Sequence, residues 1–266
     1  MSCLICPVCA RPLADNGKTL VCVGNHSFDK SKEGYVNLLT GSRSGDKIGD
    51  NATMARMRRD FLNKGYYDKL SDAVTDSVCS LASSGCVTDI CCGEGYYTAR
   101  LAESFHGMTL GFDISKEMVR LAAKRKSKAF FFVANMAHIP LESESQSACV
   151  HMFAPFNTHE FSRIIKPGGY LISAVPGKYH LIGLKQAVYD KPYLNGETVR
   201  DTDGFDIYDK RSVSYDITLE SNADINALFM MTPYGWKTSE KDAKKLNALT
   251  SLTTRLDFDL IIYKRK

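Results

Sequence analysis

Apolar positions change their spacing along the chain, and these changes predict where helices and strands lie. Residues 53–63 and 67–81 carry apolar side chains at helical spacing. From residue 86 onward, short apolar runs alternate with amphipathic segments. They predict strands over 87–91, 108–112, 129–134, 147–153 and 170–175, and helices over 97–105, 116–126 and 158–165. This alternation is typical of a parallel sheet covered by helices on both faces.

The two ends of the chain depart from this alternation. Residues 1–40 are rich in tight-turn sequences, and residues 41–52 are rich in Gly, Ser and Asp, which predicts a linker. The tail predicts a strand over 212–219, a helix over 223–231 and a last strand over 253–263. We therefore expect three parts: a small module over 1–40, a linker and helical segment over 41–75, and an α/β domain over 76–266.

The composition is that of a folded, mildly basic chain. Of 266 residues, 44% are apolar and 24% charged, and the net charge of +4 is compatible with an anionic partner. The longest apolar runs are far shorter than a membrane helix requires, and the N-terminus lacks the features of a secretory signal. We therefore expect a cytoplasmic protein, whose nine cysteines are thiols or metal ligands rather than disulfides.

Four residues of the N-terminal module form a candidate metal site. Cys6 and Cys9 make a C-x2-C pair, and Cys22 and His26 make a C-x3-H pair. Two such pairs on tight turns can surround one tetrahedral zinc ion in a structural site. Cys3 also precedes this set and is interpreted as a bystander. The turn-rich and strand-like sequence between the pairs favours a zinc ribbon over a DNA-reading finger, which needs a helix there.

The turn after the first predicted strand of the α/β domain carries a glycine-rich sequence. Asp89 is followed by Cys91, Gly93 and Gly95, a pattern that resembles the first motif of class I S-adenosylmethionine-dependent methyltransferases. Cys91 stands where the family usually has its first glycine, which is tolerable if the backbone dihedrals there are ordinary. A nicotinamide dehydrogenase is the alternative, but it explains neither the missing third glycine nor the Lys-Pro-Gly-Gly turn at 166–169.

Two further residues follow strands in the order that this family requires. Asp113 ends the second strand, where a carboxylate can accept hydrogen bonds from both ribose hydroxyls of an adenosine. Asn135 follows the third strand, where the family usually binds the adenine. The resemblance to class I methyltransferases therefore implies cofactor roles for both residues.

The chain as a whole resembles the bacterial 23S rRNA (guanine-N1)-methyltransferases, a family that includes the tylosin-resistance enzyme. The resemblance covers nearly the full length and rests on six sequences: the Cys/His set, Lys32–Leu39, Cys92–Thr98, Ala174–Gly177, His180 and Met231–Trp236. It implies a zinc ribbon for RNA recognition ahead of a Rossmann-like methyltransferase domain with a mostly parallel sheet. The resemblance also implies a role in antibiotic resistance as one option. Whether the protein forms a homodimer stays an open question.

The same resemblance implies the activity and further cofactor residues. The implied substrate is N1 of a guanine in a hairpin of 23S rRNA domain II, and the implied cofactors are S-adenosylmethionine and zinc. Besides the residues named above, the resemblance implies cofactor contacts for Tyr67, Glu94, Tyr97, Thr98 and His180.

The acceptor side is less defined by the sequence. Phe153–Asn157 follow the fourth strand, and the motif that many amine methyltransferases carry there is absent, which is compatible with a ring nitrogen. Tyr234 and Trp236 are candidates for stacking on a base, and no catalytic base can be assigned among Asn157, His159 and Glu160. Basic residues at or beside the module could contact phosphates: Lys30, Lys32, Arg43, Lys47, Arg56, Arg58 and Arg59.

Two other functions stay open at this point. One is a zinc-ribbon RNA-binding protein without catalysis, and the other is a methyltransferase that acts on another RNA or on a small molecule. Binding of S-adenosylmethionine would exclude the first, and the presence of the N-terminal module argues against a small-molecule acceptor.

Overall fold

The computed structural model describes residues 3–40, 52–198 and 202–266. Arg43 and Lys47, two of the predicted phosphate contacts, lie outside these residues, as does the side chain of Trp236. Among the helices in the described ranges, none is long and apolar enough to cross a membrane.

Eleven strands and nine α-helices are found in the described residues. The strands are β1 (Leu13–Asp15), β2 (Thr19–Cys22), β3 (Ser27–Asp29), β4 (Val36–Asn37), β5 (Cys86–Ile90), β6 (Met108–Asp113), β7 (Phe130–Val133), β8 (Gln146–Met152), β9 (Ile165–Pro176), β10 (Phe205–Leu219) and β11 (Leu252–Arg265). The helices are α1 (Ala52–Leu62), α2 (Asp68–Leu81), α3 (Tyr96–Ser104), α4 (Lys116–Ala123), α5 (Thr158–Ile164), α6 (Ile182–Val188), α7 (Asn222–Met230), α8 (Tyr234–Lys237) and α9 (Glu240–Ala243), and a 3-10 helix covers Lys244–Ala248.

The main sheet has eight strands in the order β10-β11-β9-β8-β5-β6-β7-β4. Strands β4 to β9 pair in parallel, whereas β11 is antiparallel to both β9 and β10. The predicted parallel α/β sheet is thus confirmed, with an antiparallel edge formed by the tail. Parallel pairing brings the carboxyl ends of β5, β6, β8 and β9 to one edge, where a ligand site is expected.

Some local boundaries differ from the predicted ones. The Lys166–Gly169 turn lies within β9, as an excursion between Ile165, which pairs with Gln146, and Tyr170, which pairs with Ala148. Strand β10 begins well before the predicted residue 212, because its outer part is an exposed edge with largely polar residues that show no apolar alternation. Helix α6, which has seven residues, was not predicted from the sequence.

The N-terminal module is a three-stranded antiparallel ribbon that packs on the main sheet. The order is β1-β2-β3, which agrees with the predicted zinc ribbon. Leu4 and Leu20 of the ribbon belong to the same buried cluster as Ile90, Phe112 and Phe132 of the sheet. The ribbon and the sheet therefore share one core.

Backbone contacts reinforce this packing at two places. Leu4 forms a bridge with Leu141, and the Ile5 N–H donates to the Pro140 carbonyl at 3.0 Å. Strand β4 pairs with β7 and so extends the main sheet at its outer edge. Removal of residues 1–40 would therefore uncover the core and strip an edge strand, so it cannot test RNA recognition alone.

We predict that Leu4→Ala destabilises the whole protein. Leu4 is fully buried, and truncation of such a side chain costs about 2–5 kcal/mol because it leaves a cavity in the core. Urea unfolding followed by circular dichroism should show the main transition at lower urea. Val23→Ala is the matched control, since Val23 is 81% exposed on the same ribbon. An unchanged main transition in Leu4→Ala would mean that ribbon and sheet fold independently.

Candidate active site and metal centre

A cavity of about 720 Å³ lies at the carboxyl ends of the parallel strands. Asp89 and Asp113 reach it from β5 and β6, and Met152 and Val175 reach it from β8 and β9. This is the edge at which the strand order predicts a ligand site. One cavity thus spans four strand ends, so it can hold two molecules side by side.

The turn after β5 is built from left-handed backbone conformations. Gly93 and Gly95 have φ values of 56° and 81°, and Cys91 has a φ of 58°. The condition of ordinary dihedrals at Cys91 is therefore not met, and the turn holds a non-glycine residue in a conformation that costs about 1–2 kcal/mol. A Cβ atom at Gly93 would meet no atom within 4 Å, so backbone there can be approached closely by a ligand.

Gly95 has a different role from Gly93. A Cβ atom at Gly95 would lie 2.7 Å from the Cβ of Ala122 in α4. The glycine thus allows α3 and α4 to pack closely, and Gly95 does not line the cavity among the described residues.

Asp113 is held in place by the backbone on both of its carboxylate oxygens. Gly93 N–H donates to Oδ2 at 3.1 Å, and Ser115 N–H donates to Oδ1 at 2.8 Å. The side chain is half-buried and lines the cavity. This arrangement fits a carboxylate that accepts hydrogen bonds from a vicinal diol, as the second strand of a nucleotide-binding fold requires.

Asp89 is a buried carboxyl group with one incompletely used oxygen. Its Oδ2 accepts from the Thr98 hydroxyl at 2.5 Å, whereas Oδ1 has no hydrogen-bond partner in the described residues. Burial, opposed by the Thr98 hydrogen bond and assisted by the nearby Asp113, raises the pKa of Asp89 to about 7. Thr98 itself does not line the cavity, so it supports Asp89 from behind.

Glu94 adds a third carboxylate to the cavity wall. Its Oε2 accepts from the Arg125 Nε at 2.8 Å, but Oε1 is buried and finds no partner in the described part of the chain. Burial raises the pKa of Glu94, and the Arg125 guanidinium opposes the shift. Buried unpartnered carboxylate oxygens are costly, and a ligand with positive charge and N–H donors would relieve this cost.

This electrostatic pattern discriminates between the two cofactors considered for the turn. S-adenosylmethionine carries a sulfonium and an ammonium, which complement the carboxylates of Asp89 and Glu94. A nicotinamide dinucleotide would bring an anionic pyrophosphate to the same turn, where it would meet these carboxylates at close range. The carboxylates at this turn therefore favour S-adenosylmethionine there, while Arg58 and Lys237 line the same cavity with positive charge.

His180 lines the cavity from the opposite wall, in the turn after β9. Its Nδ1 accepts a hydrogen bond from the Asp257 N–H at 3.3 Å, which fixes the proton of the neutral ring on Nε2. Burial and the nearby Lys185 together lower the pKa of His180 to about 3. His180 is therefore a neutral hydrogen-bond donor near pH 7 and not a proton acceptor.

The remaining predicted cofactor residues divide into two groups. Tyr67 and Tyr97 line the cavity, and Tyr67 packs edge-on against Phe61 at a centroid distance of 6.1 Å. Asn135 is exposed, and its Oδ1 accepts from the Ala137 N–H at 2.9 Å. It follows β7 as expected but does not line the cavity among the described residues.

The loop after β8 faces the cavity with apolar atoms. Phe153 and Ala154 line it, whereas Asn157 caps α5 by accepting from the Glu160 N–H. Glu160 is buried in an ion pair with Arg163. His159 has an 89% exposed side chain. None of these three residues lines the cavity, so no general base is found among the candidates that the sequence offered.

Several cavity residues were missed or given another role from sequence. Tyr193, Asn195 and Thr198 lie in a segment without regular secondary structure, so no periodicity identifies them. Arg58, predicted to contact phosphates, lines the cavity instead of an outer surface, and Tyr234 lines it as the stacking hypothesis requires.

The four predicted metal ligands form one cluster. Their ligand atoms all lie within 4.8 Å of one another. His26 Nδ1 is 3.4 Å from both Cys6 Sγ and Cys22 Sγ, and Cys9 Sγ is 3.6 Å from Cys22 Sγ. Tetrahedral bonds of about 2.3 Å to sulfur and 2.0–2.1 Å to nitrogen put ligand atoms about 3.5–3.8 Å apart. The cluster therefore fits zinc, with three sulfurs and one imidazole nitrogen.

Cys3 is outside the metal cluster, as expected. Its Sγ lies 3.2 Å from Cys86 Sγ at the start of β5. Among the predicted ligands, Cys22 is favoured as a thiolate. Desolvation would raise its pKa, but hydrogen bonds from the backbone N–H groups of His26 and Gly24 outweigh this effect, and the pKa is lowered to about 6. A thiolate is the form that binds metal.

The basic residues near the ribbon do not form one uniform stripe. Lys30 pairs with Asp15 at 2.5 Å, and Arg59 pairs with Asp60 at 2.7 Å. Lys32 and Arg56 are exposed. Within the described ranges, the basic surface therefore consists of scattered residues, some of which are already engaged by acids.

Comparisons with known proteins agree with the ribbon and the domain found here. Residues 4–42 match the zinc-ribbon family model described as RlmA, N-terminal, and residues 87–169 match a methyltransferase-domain model. Two solved structures share the fold at a TM-score of 0.50. One is the complex of the Haloferax volcanii Trm112 activator with a methyltransferase (19% identity, 82% of this chain and 99% of that chain). The other is phosphoethanolamine N-methyltransferase 2 of Haemonchus contortus (12% identity, 95% and 70%).

Curated relatives are more similar than these structures. The chain is 36% identical to the 23S rRNA (guanine(748)-N(1))-methyltransferase of Streptomyces fradiae, over 70% of this chain and 67% of the relative. It is 30% identical to a Bacillus subtilis protein provisionally named as a 23S rRNA (guanine-N1)-methyltransferase, over 97% of this chain and 95% of the relative. The chain therefore belongs to the 23S rRNA (guanine-N1)-methyltransferase family and is an S-adenosylmethionine-dependent enzyme with a zinc-binding ribbon.

Proposed function

We propose that the protein transfers the methyl group of S-adenosylmethionine to N1 of a guanine in a hairpin of 23S rRNA domain II. The observation that carries this proposal is the single cavity that joins a carboxylate-rich wall at β5 and β6 to an apolar and aromatic wall after β8 and β9. The first wall suits a cationic nucleoside and the second suits a base. The name of the Streptomyces fradiae relative supports the choice of RNA and atom.

The cofactor binds through residues at the ends of β5 and β6. Asp113 accepts from the ribose hydroxyls, and the backbone at Gly93 lies close to the bound molecule. Asp89 and Glu94 face its positive charges, with Thr98 and Gly95 as supports. Tyr67, Tyr97 and His180 complete the cavity wall. Asn135 contacts the edge of the adenine in this proposal, because it directly follows β7.

The reaction needs close positioning more than acid–base assistance from this chain. When bound, S-adenosylmethionine supplies a methyl group on a positively charged sulfur. The walls of the cavity hold the guanine so that N1 faces this methyl group in line, which lowers the barrier through proximity and orientation. His180 is a neutral donor and can bind an oxygen of either reactant, but it does not accept the N1 proton. That proton passes to solvent.

The substrate base must be unpaired to react. Guanine N1 lies on the Watson–Crick edge, so the base has to stand in a loop or be turned out of the helix. Phe153 and Tyr234 line the cavity and offer aromatic surface to such a base. A ring nitrogen needs no amine-recognition motif after β8, which agrees with the sequence found there.

The zinc ribbon over residues 1–40 contributes to RNA recognition in this proposal. Exposed basic residues such as Lys32 and Arg56 are available to phosphates. The segment over 41–75 connects the ribbon to the methyltransferase domain over 76–266. A homodimer would extend the basic surface along the RNA, and work on nascent rRNA would take place in the cytoplasm. A role in antibiotic resistance would follow only if the modified guanine lies where a drug binds.

We predict that the purified protein produces a single reverse-transcription stop in 23S rRNA lacking the modification. An N1-methyl group blocks the pairing edge and stops the polymerase, so the stop identifies nucleotide and atom class together. Reactions without S-adenosylmethionine are the control. If the cofactor binds but no stop appears in the domain II hairpin, the acceptor is another RNA, another atom or a small molecule.

We predict that affinity for S-adenosylmethionine falls as the pH falls through about 7. The Asp89 carboxyl, with its pKa raised to about 7, is ionised above this pH and attracts the cation, and it becomes neutral below it. If only the ionised form binds, the dissociation constant rises about tenfold from pH 8 to pH 6. Isothermal titration calorimetry measures it.

Asp89→Asn separates this effect from titration of the cofactor itself. The amide can still accept from Thr98, but it carries no titratable charge. The variant should bind more weakly at pH 8 and lose the extra pH dependence. Equal pH profiles in wild type and variant would show that Asp89 does not face the cofactor charge.

We predict that Cys22→Ala abolishes zinc binding and lowers the melting temperature of the whole chain. Three ligands remain, and the ribbon shares its core with the sheet, so metal loss is transmitted to the domain. Elemental analysis gives the zinc content and circular dichroism gives the melting temperature. Cys79→Ala in α2 is the control and should keep its zinc. A Cys22→Ala variant with full zinc would mean that another thiol, such as Cys3, is a ligand.

A further inference from the structure

Lys185 of α6 is a buried lysine that the proposed reaction does not use. Only 1% of its surface is exposed, and the hydrogen-bond acceptors found for its amine in the described residues are a carbonyl and an amide oxygen rather than a carboxylate. Burial lowers the pKa of its amine. A buried amine without a carboxylate is unfavourable unless its N–H groups find other acceptors. The surroundings of Lys185 therefore need an explanation.

The acceptors all belong to one irregular segment, residues 191–198, which contains no helix or strand. Lys185 Nζ donates to the Tyr193 carbonyl at 3.1 Å and to Asn195 Oδ1 at 2.7 Å. It also lies 4.4 Å from the ring centroid of Tyr193 and 5.6 Å from that of Tyr234. One side chain thus fixes both the backbone and an aromatic ring of a segment that has no helical or strand hydrogen bonds of its own.

The same segment is tied to the end of β9. Asn195 Nδ2 donates to the Gly177 carbonyl at 2.7 Å, and the Asn195 N–H donates to the Lys178 carbonyl at 3.0 Å. The segment is therefore held from two directions, by α6 and by the turn after β9. Tyr193 and Asn195, held in this way, line the cavity.

The position of the segment in the sheet places it on the acceptor side. The carboxylates of Asp89 and Asp113 lie at the ends of β5 and β6, whereas Tyr193 is held beside the end of β9. Strand β9 is two positions from β5 in the sheet order, which is about 10 Å at the usual strand spacing. The Tyr193 ring is therefore separated from the carboxylates by about two strand spacings, which leaves it available to the second reactant.

Tyr193 has the exposure of a contact residue and the support of a rigid one. Half of its side chain is exposed, while the Lys185 amine lies against the ring and Tyr189 packs beside it at a centroid distance of 5.7 Å. A ring that is held on one side and open on the other is suited to stacking on a base. A cation near such a ring also favours an electron-rich base such as guanine.

We propose that Tyr193 stacks on the unpaired guanine of the RNA and that Lys185 is the positioning residue that holds this ring in place. The inference rests on the proposed function and deepens it, because it names the surface that receives the base. Lys185 contacts neither reactant. It acts through the segment that it fixes, and Asn195 links that segment to β9.

The test uses the full-length zinc-bound enzyme and an unmodified hairpin of 23S rRNA domain II. Two readouts are needed: kcat and KM for methylation of the hairpin, and its dissociation constant in the presence of S-adenosylhomocysteine. Tyr193→Ala should raise KM and the dissociation constant about tenfold or more, since loss of one base–aromatic stack costs about 1–3 kcal/mol. Tyr193→Phe should behave as the wild type, because it keeps the ring.

Lys185→Met tests the positioning role. It keeps the length of the side chain and removes the N–H donors, so it should weaken RNA binding as Tyr193→Ala does. The affinity for S-adenosylmethionine should not change. The double variant should lose little more than Tyr193→Ala alone, because both changes remove the same stack. If Lys185→Met fails to fold, Asn195→Ala releases the same segment from its other end and should give the same KM effect.

Matched surface controls are Tyr208→Ala on β10 and Lys244→Met in the 3-10 helix, both exposed and away from the cavity. They should leave both readouts unchanged. Wild-type kinetics for Tyr193→Ala on an RNA that the wild type methylates would overturn this inference and leave the proposed function intact. Additive losses in the double variant would overturn the positioning role of Lys185. A wild type that neither binds nor methylates the hairpin would overturn both proposals.

Discussion

Parallel pairing of β5 with β6 on one side and β8 on the other is the constraint on which the site depends. It brings three strand ends to one edge, to which β9 adds a fourth through its pairing with β8, and each following turn supplies residues there. The turn after β5 reaches this edge through left-handed conformations at Cys91, Gly93 and Gly95. The backbone N–H of Gly93 then orients Asp113, so the geometry of one turn determines the orientation of a carboxylate on the neighbouring strand.

The charge of the cavity is a second consequence of the same arrangement. Asp89 and Asp113 at the ends of β5 and β6 come together with Glu94 in the turn after β5, and burial makes ionisation of Asp89 and Glu94 costly. Two of their oxygens have no partner in the described residues. Such oxygens favour a ligand that carries positive charge or N–H donors. If the sulfonium faces them, as proposed, the attraction is weaker for the product, which has lost that charge.

Much of the fold could be predicted from sequence, because buried parallel strands appear as apolar runs and their ends are marked by acids and glycines. The positions of β5 to β9, the zinc ligands, Asp89 and Asp113 follow from such local signals. The left-handed conformation of Cys91 could not be predicted in this way, because a cysteine in a sequence does not indicate a positive φ. The two-residue strand β4 depends on a partner strand distant in sequence, and the segment around Tyr193 has no periodicity because side-chain contacts hold it, so no local pattern reveals either of them. Asn135 lies after the expected strand, yet its side chain is exposed.

The pairing of β4 with β7 has a consequence for the order in which the protein is made. Val36 pairs with Phe132, so the ribbon leaves the ribosome well before the strand that it must join. During this interval the ribbon has no sheet to pack against, and a segment of this size depends on bound metal to keep its shape. Without zinc at that stage, β7 would emerge as an open sheet edge, which is a template for association with other chains. The supply of zinc during synthesis therefore affects how much of the newly made chain reaches its final form.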